Sequence, residues 1–358
     1  EYRQRQIGLD CIVLDWCSWE EGKWGQITFD GSRFPEPEKM TEYIHKNHAK
    51  FMISVWPNTN ENTDNYAEFK EAGLLLPDCV IYDAFRDEGR AMYWKQAKNG
   101  LYSHGVDAWW CDSSEPFTPE WIHSERVEPA KLYEEYCRDV QNHMSLSLGN
   151  AYALYHAKGI YEGQRSENDG KRVVNLTRSA YTGQQRYGAI LWSGDVSAAW
   201  ETLRRQIAAG LNFSASGLPY WTTDIGGFFV KKGSVWYWNG DFDGCFDDLG
   251  YRELFTRWYQ WAAFLPVFRG HGTDCRRELW YCANADVPFY DVLKETNRLR
   301  YSLMPYIYSA AGNCWLKDGS MMLPLAFDWP EDETAKKITD QYMFGDSIMV
   351  CPVTNPMY

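Results

Sequence analysis

Two acidic residues of this chain each follow a short apolar, tryptophan-containing run. Asp112 comes directly after the run 108–111 and precedes Ser-Ser-Glu-Pro, while Asp195 follows the run 189–192 and a Ser-Gly pair. The Ser-Gly pair predicts a tight turn that exposes Asp195 at the end of a strand. A carboxyl group in such a position can serve as a nucleophile when ionised, or as an acid when protonated.

Each candidate also has an ordinary structural explanation. Asp112 is a reasonable helix N-cap, because Asp often caps a helix that follows a strand, and Asp195 is a common turn residue. Asp224 precedes Ile-Gly-Gly-Phe, where the two glycines either admit a ligand close to the backbone or only form a turn. His271 is flanked by two glycines and follows Arg269 closely, which favours contact with a ligand over the structural role of most lone histidines.

Paired carboxyl groups at neighbouring strand ends are the apparatus for breaking a glycosidic bond. Retaining hydrolysis needs the two groups about 5–5.5 Å apart, whereas inverting hydrolysis separates them by about 6.5–9.5 Å. One group must stay ionised, and the other must keep its proton near neutral pH. Aromatic surroundings with different access to water would give two carboxyl groups these different properties.

The elements that would position these residues recur along the chain in a regular alternation. The apolar runs fall at 12–16, 51–57, 108–112, 172–178, 189–195 and 220–224. Helix-like segments at 37–50, 197–211 and 292–311 carry apolar residues at spacings of three and four. Continuous apolar strands separated by helices predict a parallel sheet that is covered on both faces.

The ends of these runs select the architecture. They carry Asp15, Trp56, Asp112, Arg178, Asp195 and Asp224. Functional residues at many strand ends are typical of a (β/α)8 barrel, whereas an open doubly wound sheet uses one crevice. Nucleotide-binding glycine motifs are absent from the sequence. We therefore predict an α/β fold of the TIM-barrel type.

A run of different character lies near the end of the chain. Residues 344–353 read as one strand that opens a separate β-domain. The expected division is a catalytic barrel at 1–340 and the start of a C-terminal β-sandwich at 341–358. The chain enters its first strand almost at once, so we expect the barrel to be incomplete at its N-terminal strand and the chain to be part of a longer protein.

Composition excludes several classes of function. The chain has 358 residues, 45% hydrophobic and 16% aromatic, with a net charge of −13. Such an acidic chain disfavours nucleic acid and anionic lipid as partners, and no apolar run is long enough to cross a membrane. The aromatic content suits either sugar binding or an aromatic core. The ten cysteines form no CxxC motif, which favours reduced structural thiols and a cytoplasmic location, with disulfides left open.

The motifs around the candidate residues resemble those of glycoside hydrolase family 31. Residues 109–116 are similar to its nucleophile signature D-x-x-E-P, and 192–195 to its acid/base motif. The family's remaining motifs have counterparts at 12–16, 178–187, 224–228 and 268–271. All of them stand in family order and near family spacing, and they cover roughly residues 9–355.

This resemblance implies a role for each residue. Asp112 would be the nucleophile and Asp195 the acid/base. The implied sugar-binding residues are Asp15, Arg178 and His271, supported by Asp224 and Arg269 and walled by Trp110, Trp192, Trp221 and Phe228, with Trp56 as a further candidate. The implied chemistry requires neither a metal nor an organic cofactor, and the partner would be an oligosaccharide or other α-glycoside.

The details around Asp15 and Asp112 resemble the α-xylosidase branch of that family more than the α-glucosidase branch, whose members more often read W-x-D-M-N-E-P. The implied activity is a retaining, exo-acting α-glycosidase that removes a terminal α-linked xylose by double displacement. Two alternatives stay open: an α-glucosidase or α-transglucosylase with the same catalytic pair, and a truncated, non-catalytic sugar-binding relative. The oligomeric state is left open as well.

Overall fold

The computed structural model describes residues 1–168, 170–233, 235–282 and 288–357. They form two compact units. The first unit comprises Leu9–Ile122 and Val127–Leu191, and the second comprises Glu1–Gly8, His123–Arg126 and Trp192–Tyr358. Strands and helices alternate in the first unit, whereas helices predominate in the second.

The elements that begin in the first unit are, in chain order, β1 (Cys11–Leu14), α1 (Pro37–Lys46), β2 (Lys50–Val55), α2 (Asp64–Glu71), α3 (Asp87–Gly100), β3 (Ala108–Cys111), α4 (Pro129–His143), α5 (Tyr152–Ser166), β4 (Asn175–Thr177) and β5 (Ala189–Trp192). Those of the second unit are α6 (Trp200–Ala215), β6 (Trp221–Thr222), α7 (Leu249–Ala262), α8 (Leu279–Cys282), α9 (Pro288–Ser302), α10 (Met304–Lys317), β7 (Met322–Pro324), α11 (Leu325–Asp328), β8 (Tyr342–Phe344) and β9 (Ile348–Val350).

The first unit is built on a parallel sheet in which β1 to β5 pair in chain order. The register aligns the strand ends, because Val55 pairs with Cys111 and Cys111 with Thr177. The residues that follow these strands therefore leave the sheet at the same level. The predicted parallel sheet is confirmed, and every predicted apolar run overlaps an observed strand.

Burial explains why these strands read as continuous apolar runs. Strands β3 and β4 are buried at every position, and β2 is buried after its first residue. Helices α3 and α5 pack in the same unit, where Trp109 of β3 donates a 2.8 Å hydrogen bond to Gln164 of α5 and lies 5.8 Å from the Trp94 ring. Both faces of the sheet thus require apolar side chains.

The helix predictions hold in position but not in length. The segment predicted at 37–50 forms α1, which ends at Lys46 so that β2 can begin at Lys50. The segment predicted at 197–211 forms α6, displaced by a few residues, with Leu203, Ile207 and Leu211 buried along one side. The segment predicted at 292–311 is divided between α9 and α10, which are separated at Leu303.

Side-chain hydrogen bonds hold both ends of helix α7 in the second unit. Its N-cap is Asp248, whose carboxylate accepts hydrogen bonds from the backbone N–H groups of Gly250 and Tyr251. Beyond its C-terminal end, the buried Arg300 of α9 donates to the backbone oxygens of Ala263 and Pro266 at 2.9 and 2.8 Å. These bonds satisfy backbone carbonyl groups of the segment that follows α7.

The C-terminal segment differs from its prediction. Residues 344–353 do not form one strand, because a turn with Gly345 at φ +59° separates β8 from β9. Strands β7, β8 and β9 make a three-stranded antiparallel sheet. Tyr342 of this sheet donates to the backbone oxygen of Phe264 at 2.9 Å and accepts from Trp261 of α7 at 3.1 Å. The turn residue was visible in the sequence but was read as part of a strand.

The sequence favours reduced cysteines and leaves disulfides open, and one pair does form a disulfide. Cys245 and Cys275 form a disulfide, with their Cα atoms 5.6 Å apart. The sequence could not show this contact, because the two residues are 30 positions apart and join segments outside the helices and strands. In the part of the chain that the structure describes, no helix is both long and apolar enough to cross a bilayer.

A histidine is buried in the aromatic core of the first unit. His156 of α5 is fully buried, and its Nδ1 lies 2.8 Å from the hydroxyl oxygen of Tyr82. The rings of Tyr82 and Tyr93 are stacked at 4.6 Å, and the Tyr93 ring meets the imidazole edge-on at 4.9 Å. Burial lowers the pKa of His156 to about 3, so the folded protein holds this imidazole neutral.

This burial predicts acid sensitivity of the fold. The unfolded chain protonates His156 below about pH 6.5, whereas the folded chain does not until a much lower pH. The unfolded state therefore binds more protons, and the free energy of unfolding falls by about 1.5–2 kcal/mol between pH 6.5 and 5 from this residue. Urea unfolding at several pH values measures this effect. On acidification, the free energy of unfolding should decrease less in His156→Gln than in the unchanged protein.

The exposed His48 provides the matched control. His48 has φ +56°, a conformation that Asn tolerates, so His48→Asn should leave the pH dependence unchanged. Equal pH slopes for the unchanged protein and His156→Gln would contradict the neutral, buried imidazole.

Candidate active site

Asp112 is presented by the end of β3. In that strand Trp109 faces the helices, so the alternation of side chains directs Trp110 to the opposite face of the sheet. The backbone N–H of Asp112 donates to the carbonyl oxygen of Val55 at 3.0 Å, which ties the residue to β2. Its carboxylate accepts from the backbone N–H of Ser113 at 2.8 Å. No helix begins here, so the alternative of a helix N-cap is wrong.

Arg178 approaches this carboxylate from the end of β4. One guanidinium nitrogen, Nη1, lies 3.5 Å from Oδ1 of Asp112. The other, Nη2, donates to the Ser113 hydroxyl at 2.8 Å and to Oε1 of Glu115 at 2.5 Å. The Trp121 ring lies over the guanidinium, with its centre 5.4 Å from Cζ. Of these three polar contacts of Arg178, the one to Asp112 is the longest.

The electrostatic balance leaves Asp112 easier to protonate than a free aspartate. Burial raises its pKa to about 6 and outweighs the opposing effect of Arg178, while Glu115 and Asp15 raise it further. Arg178 favours the ionised form, but burial has the larger effect.

The ends of β1 and β2 bring aromatic rings together in the same unit. Trp16 lies 5.4 Å from Trp56 and 5.5 Å from Trp24, measured between ring centres. Trp56 is buried and donates to the Ser54 hydroxyl at 3.2 Å, whereas Trp16 is 49% exposed. Asp15 is exposed, and its carboxylate accepts from the backbone N–H of Trp16 at 2.6 Å. Trp16 and Trp24 were not among the predicted site residues.

Asp195 stands in the second unit, in an exposed turn after Gly194, which has φ +73°. The segment that follows is fixed by the turn after Asp224, because the carbonyl oxygen of Val196 accepts from the backbone N–H of Phe228 at 2.7 Å. Gly227 has φ +81°, and a Cβ there would lie 2.5 Å from the backbone of Ala198. The glycine is therefore needed for close approach of the two backbone segments.

Asp224 is fully buried and forms an ion pair with Arg269, which is itself only 8% exposed. Burial raises the pKa of Asp224, and the Arg269 guanidinium opposes this. The guanidinium also lies over the buried Trp192 ring, 5.5 Å from its centre. Trp221 is buried in β6 and stacks on Phe213 of α6 at 5.0 Å. These predicted site residues are therefore also part of the buried core of the second unit.

His271 lies beside Phe228, with ring centres 5.3 Å apart. Burial, together with the nearby Arg269 and Arg277 guanidinium groups, holds the pKa of His271 well below its usual range. The imidazole is therefore neutral at physiological pH. A neutral ring can donate a hydrogen bond from one nitrogen and accept one at the other, which suits a sugar hydroxyl.

Arg277, which is not among the predicted site residues, holds the loop of His271 to the turn of Phe228. Its guanidinium donates to the backbone oxygens of Gly227 at 2.9 Å and Thr273 at 3.2 Å. The disulfide partner Cys275 lies in the same loop. Only the density of charged residues after His271 could have drawn attention to Arg277, since its partners are backbone atoms.

The structure therefore gathers the predicted residues in two groups. In the first unit Asp15, Trp56, Trp110, Asp112 and Arg178 stand on or just beyond neighbouring parallel strands. In the second unit the predicted residues are Trp192, Asp195, Trp221, Asp224, Phe228, Arg269 and His271. Within the described ranges, no cluster of three or more His, Cys, Asp or Glu residues could hold a metal ion.

Charged residues that collect at the C-terminal ends of several parallel strands, as Asp112 and Arg178 do here, are where a barrel enzyme places its active site. The family model of the Glycosyl hydrolases family 31 TIM-barrel domain matches residues 1–310, and that of the family's C-terminal domain matches residues 318–357. The chain therefore belongs to glycoside hydrolase family 31. This confirms the predicted fold class of a TIM barrel followed by the start of a C-terminal domain.

Several relatives have known or assigned activities. An α-xylosidase of Saccharolobus solfataricus is 42% identical over 364 residues, which is 99% of this chain and 45% of that protein. A GH31 α-xylosidase of Xanthomonas citri, known from a crystal structure, has a TM-score of 0.87 and 39% identity, covering 99% of this chain and 39% of that one. Neutral α-glucosidase C of Mus musculus is 28% identical over 376 residues, which is 99% of this chain and 38% of that protein. The chain thus spans less than half the length of each.

The buried pair of Asp224 and Arg269 gives a test of the site's framework. Replacing Asp224 by Asn leaves a buried guanidinium without its counter-charge, which should cost about 3–5 kcal/mol in the free energy of unfolding. Urea denaturation measures this cost. The matched control is Asp243→Asn, which breaks the exposed pair with Lys232 and should cost less than about 1 kcal/mol. Equal losses in both variants would contradict a buried ion pair.

Proposed function

We propose that this chain carries the catalytic barrel of a retaining, exo-acting α-glycosidase that releases terminal α-linked xylose from an oligosaccharide. The observation that carries the proposal is the Asp112 carboxylate, which lies at the end of a parallel strand with its side chain only 15% exposed and faces the Arg178 guanidinium at 3.5 Å. Such a group is a poor structural residue, because its burial raises its pKa to about 6 and therefore costs stability when it is ionised. It is a suitable nucleophile, because it is ionised above that pH.

In this proposal the two carboxyl groups divide the chemistry. Asp195 protonates the leaving oxygen while Asp112 attacks the anomeric carbon, and a covalent glycosyl-enzyme forms. Asp195, now ionised, takes a proton from water as that water attacks the same carbon, and the sugar leaves with its α configuration retained. The exposure of Asp195 supports its part, because an acid that becomes a base must exchange its proton with water.

The other predicted residues would bind the sugar. Asp15 and the neutral His271 offer hydrogen bonds to hydroxyl groups, and Arg178 adds a fixed donor. Trp110, Trp192, Trp221 and Phe228 supply apolar surface, and Asp224 with Arg269 supports the loop that carries His271. Trp56 would contribute indirectly, because it packs edge-on against the exposed Trp16 ring and so positions that ring. No metal or organic cofactor enters this mechanism.

The choice of xylose is supported by the names of the relatives. The α-xylosidases described above have higher identity to this chain than Neutral α-glucosidase C has. An α-glucosidase is the second candidate, because that relative also matches 99% of the chain. The division at residue 340 between barrel and β-domain remains a prediction. The expected cytoplasmic location was based on reduced thiols. The disulfide weakens that basis, and we propose no location.

The test is hydrolysis of 4-nitrophenyl α-xyloside and 4-nitrophenyl α-glucoside by the purified protein, as this chain and with its native flanking sequence. We expect a preference for the xyloside. Asp112→Ala should lose about 10³-fold or more in kcat/KM. Asp195→Ala should lose about 10²–10⁴-fold on a xylosyl disaccharide, and less on the aryl xyloside, because 4-nitrophenolate leaves without a proton.

Asp346→Ala, an exposed turn residue, serves as the control and should keep full activity. A preference for the glucoside would replace the proposed substrate and keep the mechanism. Unchanged activity in Asp112→Ala, or no hydrolysis of any α-glycoside by the protein with its flanking sequence, would overturn the proposal.

A further inference from the structure

The Arg178 guanidinium is shared unequally between two carboxylates. Its Nη2 is 2.5 Å from Oε1 of Glu115, whereas its Nη1 is 3.5 Å from Oδ1 of Asp112. The first distance is a strong, charge-assisted hydrogen bond, and the second is an ion pair without one. Glu115 therefore takes the directed bond that Asp112, three residues earlier in the chain, would otherwise receive.

The backbone between the two acids enforces this division. Ser113 has φ +44°, a left-handed conformation that is uncommon for a residue other than glycine. Its backbone N–H donates to the Asp112 carboxylate at 2.8 Å, and its hydroxyl accepts from Nη2 of Arg178 at 2.8 Å. Ser114 is fully buried and hydrogen bonds to the Thr177 hydroxyl at 2.8 Å, which anchors the turn to β4. The turn thus fixes Asp112 and Glu115 around one cation.

Glu115 has little other function in the fold. Its Oε2 is buried and, among the described residues, has no hydrogen-bond partner. A buried carboxylate with one unsatisfied oxygen is costly, so a residue that served only the fold would be better replaced by a neutral one. This cost suggests that the charge of Glu115 is what the site uses.

We propose that Glu115 is a positioning residue, which draws the Arg178 guanidinium away from Asp112 and so leaves the Asp112 carboxylate free to attack and the site net negative. This inference rests on the proposed function and extends it. A tight Arg178–Asp112 pair would occupy the lone pairs of the nucleophile and lower its basicity. With Glu115 in place, two carboxylates face one guanidinium, and the remaining negative charge stabilises the cation-like transition state of glycoside cleavage.

The charged groups that face this cluster within the first unit are few. Asp15 comes from the end of β1, Arg178 from the end of β4, and Glu115 and Glu120 from the segment after β3. Glu115 raises the pKa of Asp112, which burial already raises, and Arg178 opposes both. Removal of the Glu115 charge should therefore lower the pH at which Asp112 ionises.

The experiment is the variant Glu115→Gln, which keeps the size of the side chain and an oxygen that can accept from Arg178. If charge is what matters, the acid limb of the kcat/KM profile on 4-nitrophenyl α-xyloside should move down by about one pH unit. The limiting kcat should fall about tenfold or more, because Arg178 then pairs with the nucleophile. Glu115→Asp keeps the charge, so the acid limb of its kcat/KM profile should lie at nearly the same pH as in the unchanged protein. Glu134→Gln removes an exposed acid of α4 and is the matched control.

A second readout does not depend on activity. In protein labelled with ¹³C at aspartate Cγ, the carboxyl resonance of Asp112, assigned by its absence in Asp112→Asn, should titrate at lower pH in Glu115→Gln. An unchanged titration would overturn the proposal and show that Glu115 is only a hydrogen-bond acceptor. A lowered titration in a protein that cleaves no glycoside would support the charge balance while rejecting the proposed function.

Discussion

As the proposed nucleophile, Asp112 must be shielded from water and still keep its charge and an accessible oxygen, and both conditions depend on its pairing with Arg178. Burial alone would protonate the group, because the charged form loses its hydration. The Arg178 guanidinium restores a counter-charge from the end of the next strand, 3.5 Å away. The parallel sheet makes this possible, since its register brings the ends of β2, β3 and β4 to one level. Glu115 and Ser113 accept hydrogen bonds from Nη2 of the guanidinium and so hold it on the side away from Asp112, as the proposed role of Glu115 requires.

The sheet and the site could be predicted from the sequence where a local pattern reports a physical requirement. Strands buried on both faces read as uninterrupted apolar runs, so each of the strands β1 to β6 overlaps a predicted run. Helix ends were less well predicted, because α1 ends where β2 must begin and the run at 292–311 contains the break at Leu303. Gly345 was visible, yet only the pairing of β8 with β9 shows that it turns the chain.

Contacts between residues that are far apart in the chain could not be predicted from the sequence. Arg277 holds the His271 loop through backbone oxygens, which leave no trace in residue type. The Cys245–Cys275 bond joins two loops, so the preference for reduced thiols does not extend to this pair. Glu115 is not among the predicted site residues, because its pairing with Arg178 spans 63 residues. The largest effect on the pKa of Asp112 is burial, which is a property of the folded chain.

The central claim is that Asp112 forms the covalent bond to the sugar. It is tested most directly with a fluorinated α-xylosyl fluoride, which forms the glycosyl-enzyme rapidly and hydrolyses slowly, followed by proteolysis and mass spectrometry of the labelled peptide. We expect one sugar per chain, attached to the peptide that contains Asp112, and no label in Asp112→Ala. A label on a peptide without Asp112, or turnover with inversion and no covalent adduct, would contradict the account.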